Sequence, residues 1–189
     1  MDRMSCNFRA RGLTLIELMI ALVILAVTVT VAAPAMQQLI QGSRLRAETT
    51  RLLDAINLAR SEAVGRNIPV SVCPSSMALS GVPSCVGDYG DGWIVFTNRD
   101  RNPEVDPGVD EIIQAFEPVP EGYSLTNKQG NREVSDLITY LPDGSSRKNL
   151  SLHVCPPPGA GVLPITVVLN SVGRARADSG AAPCPRDKN

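Results

Sequence analysis

One carboxylate, Glu17, stands inside an otherwise uncharged run from Leu13 to Met36. An ionised carboxyl group in hydrocarbon costs about 2.5–3.5 kcal/mol on insertion scales, so a residue of this type in this place needs a partner or a task. Cysteine is the second chemical signal. Cys6 precedes the run, and Cys73, Cys85, Cys155 and Cys184 follow it. There is no CxxC pair and one histidine, His153, so zinc is not expected. The even set reads as two disulfides in an oxidising compartment. Of the three connectivities that four cysteines allow, the local one is expected: Cys73–Cys85 with Cys155–Cys184.

Three further groups of side chains have chemistry in their types and spacing. Asn98, Asp100, Asn102, Asp106 and Asp110 alternate oxygen donors as calcium loops do, but Pro103 interrupts the series and the glycine and distal glutamate of an EF-hand are missing. A solvated hairpin turn is the expectation there. In Gly173-Arg174-Ala175-Arg176 the two arginines are two residues apart. On an extended strand they project to one side and suit successive phosphates, with Lys128, Arg132, Arg147 and Lys148 as a wider patch if the fold gathers them. An exposed loop after the last strand is the simpler expectation. His153, Ser145 and Ser146 have no nucleophile-elbow setting, and no glycine-rich phosphate loop is present. A cysteine held in a disulfide is no nucleophile. No enzyme activity, metal or cofactor is expected.

The elements that carry these residues follow from periodicity. A helix over Leu13–Met36 is about 36 Å long, enough for a bilayer core of about 30 Å. Arg3, Arg9 and Arg11 precede it against one acid, Asp2, which places the first twelve residues on the cytoplasmic side. The run exceeds the apolar part of a secretory signal, and Pro34 after Ala32-Ala33 makes a poor cleavage site. Beyond it, Leu45, Leu52, Ile56, Ala59 and Ala63 recur on one helical face, while Arg44, Arg46, Glu48, Arg51, Asp54, Arg60 and Glu62 fill the rest with pairs such as Arg44–Glu48. Gly65 and Pro69 mark the end. Short strands are expected at 69–73, 92–97, 111–116, 122–126, 136–141, 150–155 and 163–169, with the last of these closing the series. The stretch 74–92 reads as a loop stapled by Cys73–Cys85. The fold class is α+β: one long N-terminal helix, transmembrane in its first half and amphipathic in its second, packed on a mainly antiparallel β-sheet domain. The net charge of −1 gives no global argument for nucleic acid.

Arg11-Gly12-Leu13-Thr14-Leu15-Ile16-Glu17-Leu18 resembles the processing signal of type IV pilins and type II secretion pseudopilins. The resemblance implies a leader over residues 1–12, cut by a prepilin peptidase between Gly12 and Leu13, and N-methylation of Leu13. Leu13 departs from the phenylalanine or methionine usual after the cut. Glu17 matches the glutamate that neutralises the N-terminus of a neighbouring subunit during assembly, and Pro34 matches the proline that kinks the helix. The implied organisation is a transmembrane and assembly helix over 13–36, its amphipathic continuation over 37–66 and a periplasmic β-rich domain over 67–189.

A narrower likeness rests on Ala59-Arg60-Ser61-Glu62-Ala63-Val64, Pro69-Val70-Ser71-Val72-Cys73, Asp91-Gly92-Trp93-Ile94-Val95-Phe96 and Val172-Gly173-Arg174. These resemble the GspH/FimT/FimU branch of minor pilins and minor pseudopilins. Two cysteine pairs are closer to the type IV pilus members than to the secretion member. The resemblance implies an inner-membrane protein that later joins a filament with other minor pilins, a major pilin and a tip adhesin. Gly173-Arg174-Ala175-Arg176 also resembles a motif associated with double-stranded DNA binding in competence-type members.

Overall fold

The computed structural model describes residues 14–131, 134–146, 148–180 and 182–184. The leader, the Gly12–Leu13 junction, Arg132 and Arg147 lie outside the described residues. The chain divides into two units, one ending at Gln37 and one beginning at Gln38. A single helix, α1 (Leu15–Arg66), contributes to both.

In the first unit every described side chain is exposed. Leu15, Ile16, Leu18, Met19, Ile20, Leu22, Val23, Ile24 and Leu25 cover all sides of the helix, a pattern suited to lipid or to other helices rather than to water. The two hydroxyls in this stretch are satisfied internally: Thr28 Oγ1 donates to the Leu25 carbonyl and Thr30 Oγ1 to the Val27 carbonyl, both at 2.8 Å. Such back-bonding keeps a hydroxyl tolerable in hydrocarbon. Pro34 lies inside α1, where it has no N–H to offer the preceding turn.

In the second unit α1 buries Leu45, Thr49, Leu52, Ala55, Ile56, Ala59 and Ala63, the stripe expected from spacing. Among the described residues eight strands follow: β1 (Val70–Pro74), β2 (Trp93–Thr97), β3 (Ile112–Phe116), β4 (Ser124–Thr126), β5 (Ile138–Tyr140), β6 (Leu150–Cys155), β7 (Ile165–Leu169) and β8 (Ala175–Ser179). They form two four-stranded antiparallel sheets, ordered β3-β2-β1-β5 and β4-β6-β7-β8. The series therefore does not end at residue 169, and the arginine motif runs into a strand. The 74–92 stretch also holds a one-turn helix, α2 (Met77–Ser80), and a 3-10 turn over Tyr89–Asp91 capped by the Asp88 side chain on Gly90 N–H at 2.6 Å.

One core joins the helix stripe to the inner faces of both sheets. It includes Val70, Val72, Trp93, Val95, Ile138 and Tyr140 from the first and Leu125, Leu152, Val154, Val167 and Leu169 from the second. The outer face of the first sheet has its own small core, Cys73, Ile94 and Phe96 under Met77, Cys85, Ile112 and Leu137. Strand β2 is thus buried on both faces, which is why Trp93-Ile94-Val95-Phe96 is continuously apolar instead of alternating. Trp93 stacks on Phe116 with centroids 5.5 Å apart, and the Arg51 guanidinium lies 4.9 Å above its ring. Arg51 also donates to the Glu117 carbonyl and pairs with Glu48 at 2.8 Å. Glu48 therefore takes Arg51, and not Arg44, as its ionic partner. Burial raises the Glu48 pKa and Arg51 opposes that shift.

Cys73 is bonded to Cys85 and Cys155 to Cys184. The first staples the 74–92 stretch over the outer core. The second ties the C-terminal segment to β6, and Thr126 Oγ1 donates to the Pro183 carbonyl at 3.4 Å. The sequence separations are 12 and 29 residues. On the chain-entropy account the longer loop contributes more, with both in the region of about 3 kcal/mol. Replacing Cys155 and Cys184 by serine is expected to lower the urea midpoint of the full chain in detergent at least as far as replacing Cys73 and Cys85. The reverse order would place the stabilisation in the packing of the outer core.

Candidate assembly helix and surface sites

Glu17 sits in the first turn of α1. Its carboxylate accepts from the Thr14 N–H at 3.4 Å, and the Glu17 N–H donates to Thr14 Oγ1 at 3.3 Å. This reciprocal arrangement is a capping box, in which a threonine and a glutamate three residues on satisfy each other's backbone donors. The carboxylate also lies at the positive end of the helix dipole. The Thr14-x-x-Glu17 spacing announces the box in the sequence, a signal that the argument from membrane cost alone passes over.

The arginine motif is built on a tight turn. Gly173 N–H donates to the Asn170 carbonyl at 2.9 Å, Arg174 N–H to Asn170 Oδ1 at 2.8 Å and Asn170 N–H to the Arg174 carbonyl at 3.2 Å. Gly173 has φ +86°, and a Cβ there would lie 2.0 Å from the Gly144 carbonyl oxygen. Tyr140 O–H donates to the Gly173 carbonyl at 3.0 Å. The glycine of this motif is accordingly fixed by backbone packing, whatever the arginines do. Arg174 is exposed just before β8, and Arg176 lies on β8 opposite Val168. Arg176 Nε is 3.2 Å from Asp178 Oδ2, with both side chains more than half exposed, an arrangement of small energetic weight.

Lys128 and Lys148 line one shallow groove of about 440 Å³ with Asp136, Asn149, Val168 and Asn170. Lys148 Nζ is 2.6 Å from Asp136 Oδ1. Val168 and Asn170 connect this groove to the arginine strand, since one is the register partner of Arg176 and the other caps the Arg174 N–H. The fold therefore gathers Arg174, Arg176, Lys128 and Lys148 on neighbouring parts of the second sheet, and two of the four cations face a carboxylate.

The oxygen-rich turn spends its side chains on itself. Asn102 Nδ2 donates to Asp100 Oδ2 at 2.7 Å, Asp106 N–H to Asp110 Oδ2 at 2.9 Å, and Asn98 Nδ2 to the Asn102 carbonyl at 2.8 Å. Burial raises the Asp110 pKa, the hydrogen bond from the Asp106 backbone opposes that shift, and the nearby Asp106 and Asp100 charges add to it. Among the described residues no group of three or more histidine, cysteine, aspartate or glutamate side chains is placed to hold a metal ion. Ser145 Oγ donates to Asp143 Oδ1 at 2.6 Å, and Ser146 Oγ donates to the Lys148 and Asn170 carbonyls at 3.1 and 3.0 Å. These are turn-closing contacts.

His153 is buried on β6, with Nδ1 2.8 Å from Thr166 Oγ1. Burial lowers its pKa, and a hydrogen bond with the Lys128 backbone pulls the other way. The folded imidazole therefore takes up a proton less readily than the unfolded one. The stability tied to neutral His153 is full above the unfolded value of 6.5 and is lost as pH falls through the depressed folded value. The thermal midpoint of the wild-type chain is expected to fall more steeply between about pH 7.5 and pH 5 than that of His153→Asn. Parallel profiles for the two proteins would exclude this titration.

Comparisons with known proteins bear on this geometry. The family described as Type II transport protein GspH matches residues 48–173, and the prokaryotic N-terminal methylation motif matches residues 7–33. A search of curated proteins returned no match. Among solved structures, the type IV minor pilin FimU of Pseudomonas aeruginosa aligns with 75% of this chain and 96% of its own, at 13% identity and a TM-score of 0.52. The minor pseudopilin EpsH from the type 2 secretion system of Vibrio cholerae aligns with 72% of this chain and 97% of its own, at 12% identity and a TM-score of 0.50. Both share the fold of a long helix packed on antiparallel sheets. With a family match over residues 48–173 and a methylation motif at its N-terminus, the chain belongs to the GspH family of pilin-like and pseudopilin-like proteins.

Proposed function

We propose that this chain is a minor pilin of the type IV pilus that helps to initiate assembly near the tip. A prepilin peptidase removes residues 1–12 by cutting between Gly12 and Leu13, and Leu13 is then N-methylated. Residues 13–36 hold the subunit in the inner membrane as a single pass. Residues 37–66 continue the helix into the 67–189 domain on the periplasmic side, and the subunit is then drawn into a filament at the cell surface. The observation that carries this reading is the helix exposed on all sides up to Ile40, with Glu17 as its one acid in the first turn. Such a surface is stable in lipid and equally stable in a bundle of like helices, so transfer between the two needs little rearrangement. In that bundle the charged N-terminus of a neighbouring subunit offers Glu17 a stronger partner than the Thr14 backbone, and the pairing relieves the desolvation of both charges. Major pilin, other minor pilins and a tip adhesin are the partners this reading implies.

Glu17→Ala is expected to leave the protein inserted and cleaved while its recovery in sheared filaments falls by roughly tenfold, the loss of about one charge-pair interaction in a bundle of low dielectric. Normal recovery would overturn the role given to Glu17.

Two other readings draw on specific features. Arg174 and Arg176 beside the Lys128–Lys148 groove favour capture of double-stranded DNA, against Asp178 and Asp136 as competing anions. If they contact phosphates, Arg174→Gln/Arg176→Gln is expected to weaken DNA binding of the full chain and to lower the salt slope by about two; gel shifts across salt concentrations measure both. The family description favours a minor pseudopilin of type II secretion. Deleting the gene separates the three: loss of surface pili and twitching, loss of transformation with pili intact, or loss of exoprotein secretion.

A further inference from the structure

Strand β8 is the outer strand of the second sheet, and among the described residues nothing pairs with its far side. Its register with β7 is continuous from Ile165↔Ser179 to Leu169↔Ala175, without a bulge. The sequence of the strand, Ala175-Arg176-Ala177-Asp178-Ser179, holds neither proline nor lysine. The devices that usually blunt an exposed edge are thus mostly missing.

The hydrogen-bond phase of β8 follows from the bonds at its two ends. Asn170 N–H donates to the Arg174 carbonyl, and Gly180 N–H to the Pro164 carbonyl. In an antiparallel pair, bonded and non-bonded residue pairs alternate. Arg176 and Asp178 therefore turn their backbone groups towards β7. Ala175, Ala177 and Ser179 turn theirs outward, to the free edge.

We propose that this edge pairs with β8 of a second copy of the chain, antiparallel and centred on Ala177. In that register Ala177 exchanges backbone bonds with its twin, and Ala175 does so with the second copy's Ser179. The interleaved positions are then non-bonded pairs, the kind in which opposite side chains come closest. Arg176 falls opposite the second copy's Asp178, and Asp178 opposite the second copy's Arg176. The strand is self-complementary in charge about its centre, and only in this register. The Arg176–Asp178 contact within each of the two chains, at 3.2 Å between exposed side chains, is exchanged for a contact between chains, two for two. Alanine at the centre puts no bulk in the way. The interface joins like to like, the closed two-fold arrangement commonest among protein dimers.

Cross-linking of the full-length protein in its membrane tests this. An Ala177→Cys substitution, made in a Cys6→Ser background, puts two thiols across the two-fold, where a bonded pair holds Cα atoms about 5.5 Å apart, within disulfide range. Mild oxidation is expected to give a band at twice the chain mass on a non-reducing gel, and Val172→Cys, in the exposed turn before β8, is expected to give far less. Adding Arg176→Asp or Asp178→Arg singly is expected to cut the Ala177→Cys dimer by roughly tenfold, because two like-charge pairs replace two opposite ones. Coexpressing the two singly reversed chains is expected to restore it, since each supplies what the other lacks. That rescue also shows that both variants are folded. No dimer band, equal yields in all variants, no rescue on mixing, or an adduct with a chain of different mass would each overturn the proposal.

Discussion

The apolar stripe on the second half of α1 has to be covered, and most of the domain is a means of covering it. Leu45, Leu52 and Ile56 supply bulk, while Ala55, Ala59 and Ala63 leave room for the chain to come close. Neither four-stranded sheet closes this surface alone. Residues from the inner faces of both meet in one cluster with the helix. Loss of contact along the stripe would therefore unseat both sheets, which are joined in sequence but not by a shared strand. The same helix obeys an opposite rule before Gln38, where apolar residues face outward on every side and the hydroxyls turn back on their own carbonyls.

Covering the helix leaves two outer sheet faces to manage, and the chain treats them differently. On the first sheet the disulfide-stapled stretch after β1 makes a second, smaller core. On the second sheet the outer face is polar along most of its rows, with His153 hydrogen-bonded to Thr166 and Thr126 to the Pro183 carbonyl. The first sheet is consequently apolar on both sides and the second is closer to one-sided. That contrast separates Trp93-Ile94-Val95-Phe96, apolar without interruption, from Ile165-Thr166-Val167-Val168-Leu169, which alternates in burial.

Much of this was legible in the sequence, for identifiable reasons. The steps of three, four and seven between Leu45, Leu52, Ile56, Ala59 and Ala63 can be satisfied only by a helix, and the structure places them together. The division of the strands into two sheets was not legible, because strand order is decided by contacts far apart in sequence, such as β1 with β5. Strand β8 carries no strand signal in the sequence, because Arg-Ala-Asp-Ser has neither a β-branched nor an aromatic residue and an edge strand lacks alternating burial. Helical spacing alone points Glu48 to Arg44, four residues before it. It pairs with Arg51, whose guanidinium is held over Trp93 by contacts that only the folded domain supplies. At the candidate site, Glu17 stood out by cost alone, whereas the groove beside Arg176 needed the register of three strands to be seen.

The C-terminal segment has a consequence for how far a sheet of this kind can grow. Strand β4, the opposite margin of the second sheet, is three residues long, and Pro183 is held against Thr126 at its end by the bond between Cys155 and Cys184. The two margins are therefore unequal: one is short and obstructed, the other regular and open. A sheet with two open margins can add chains without limit, the geometry of a fibril. A sheet with one can only be completed. The second disulfide, by holding Pro183 at the end of β4, therefore leaves β8 as the regular margin of this sheet.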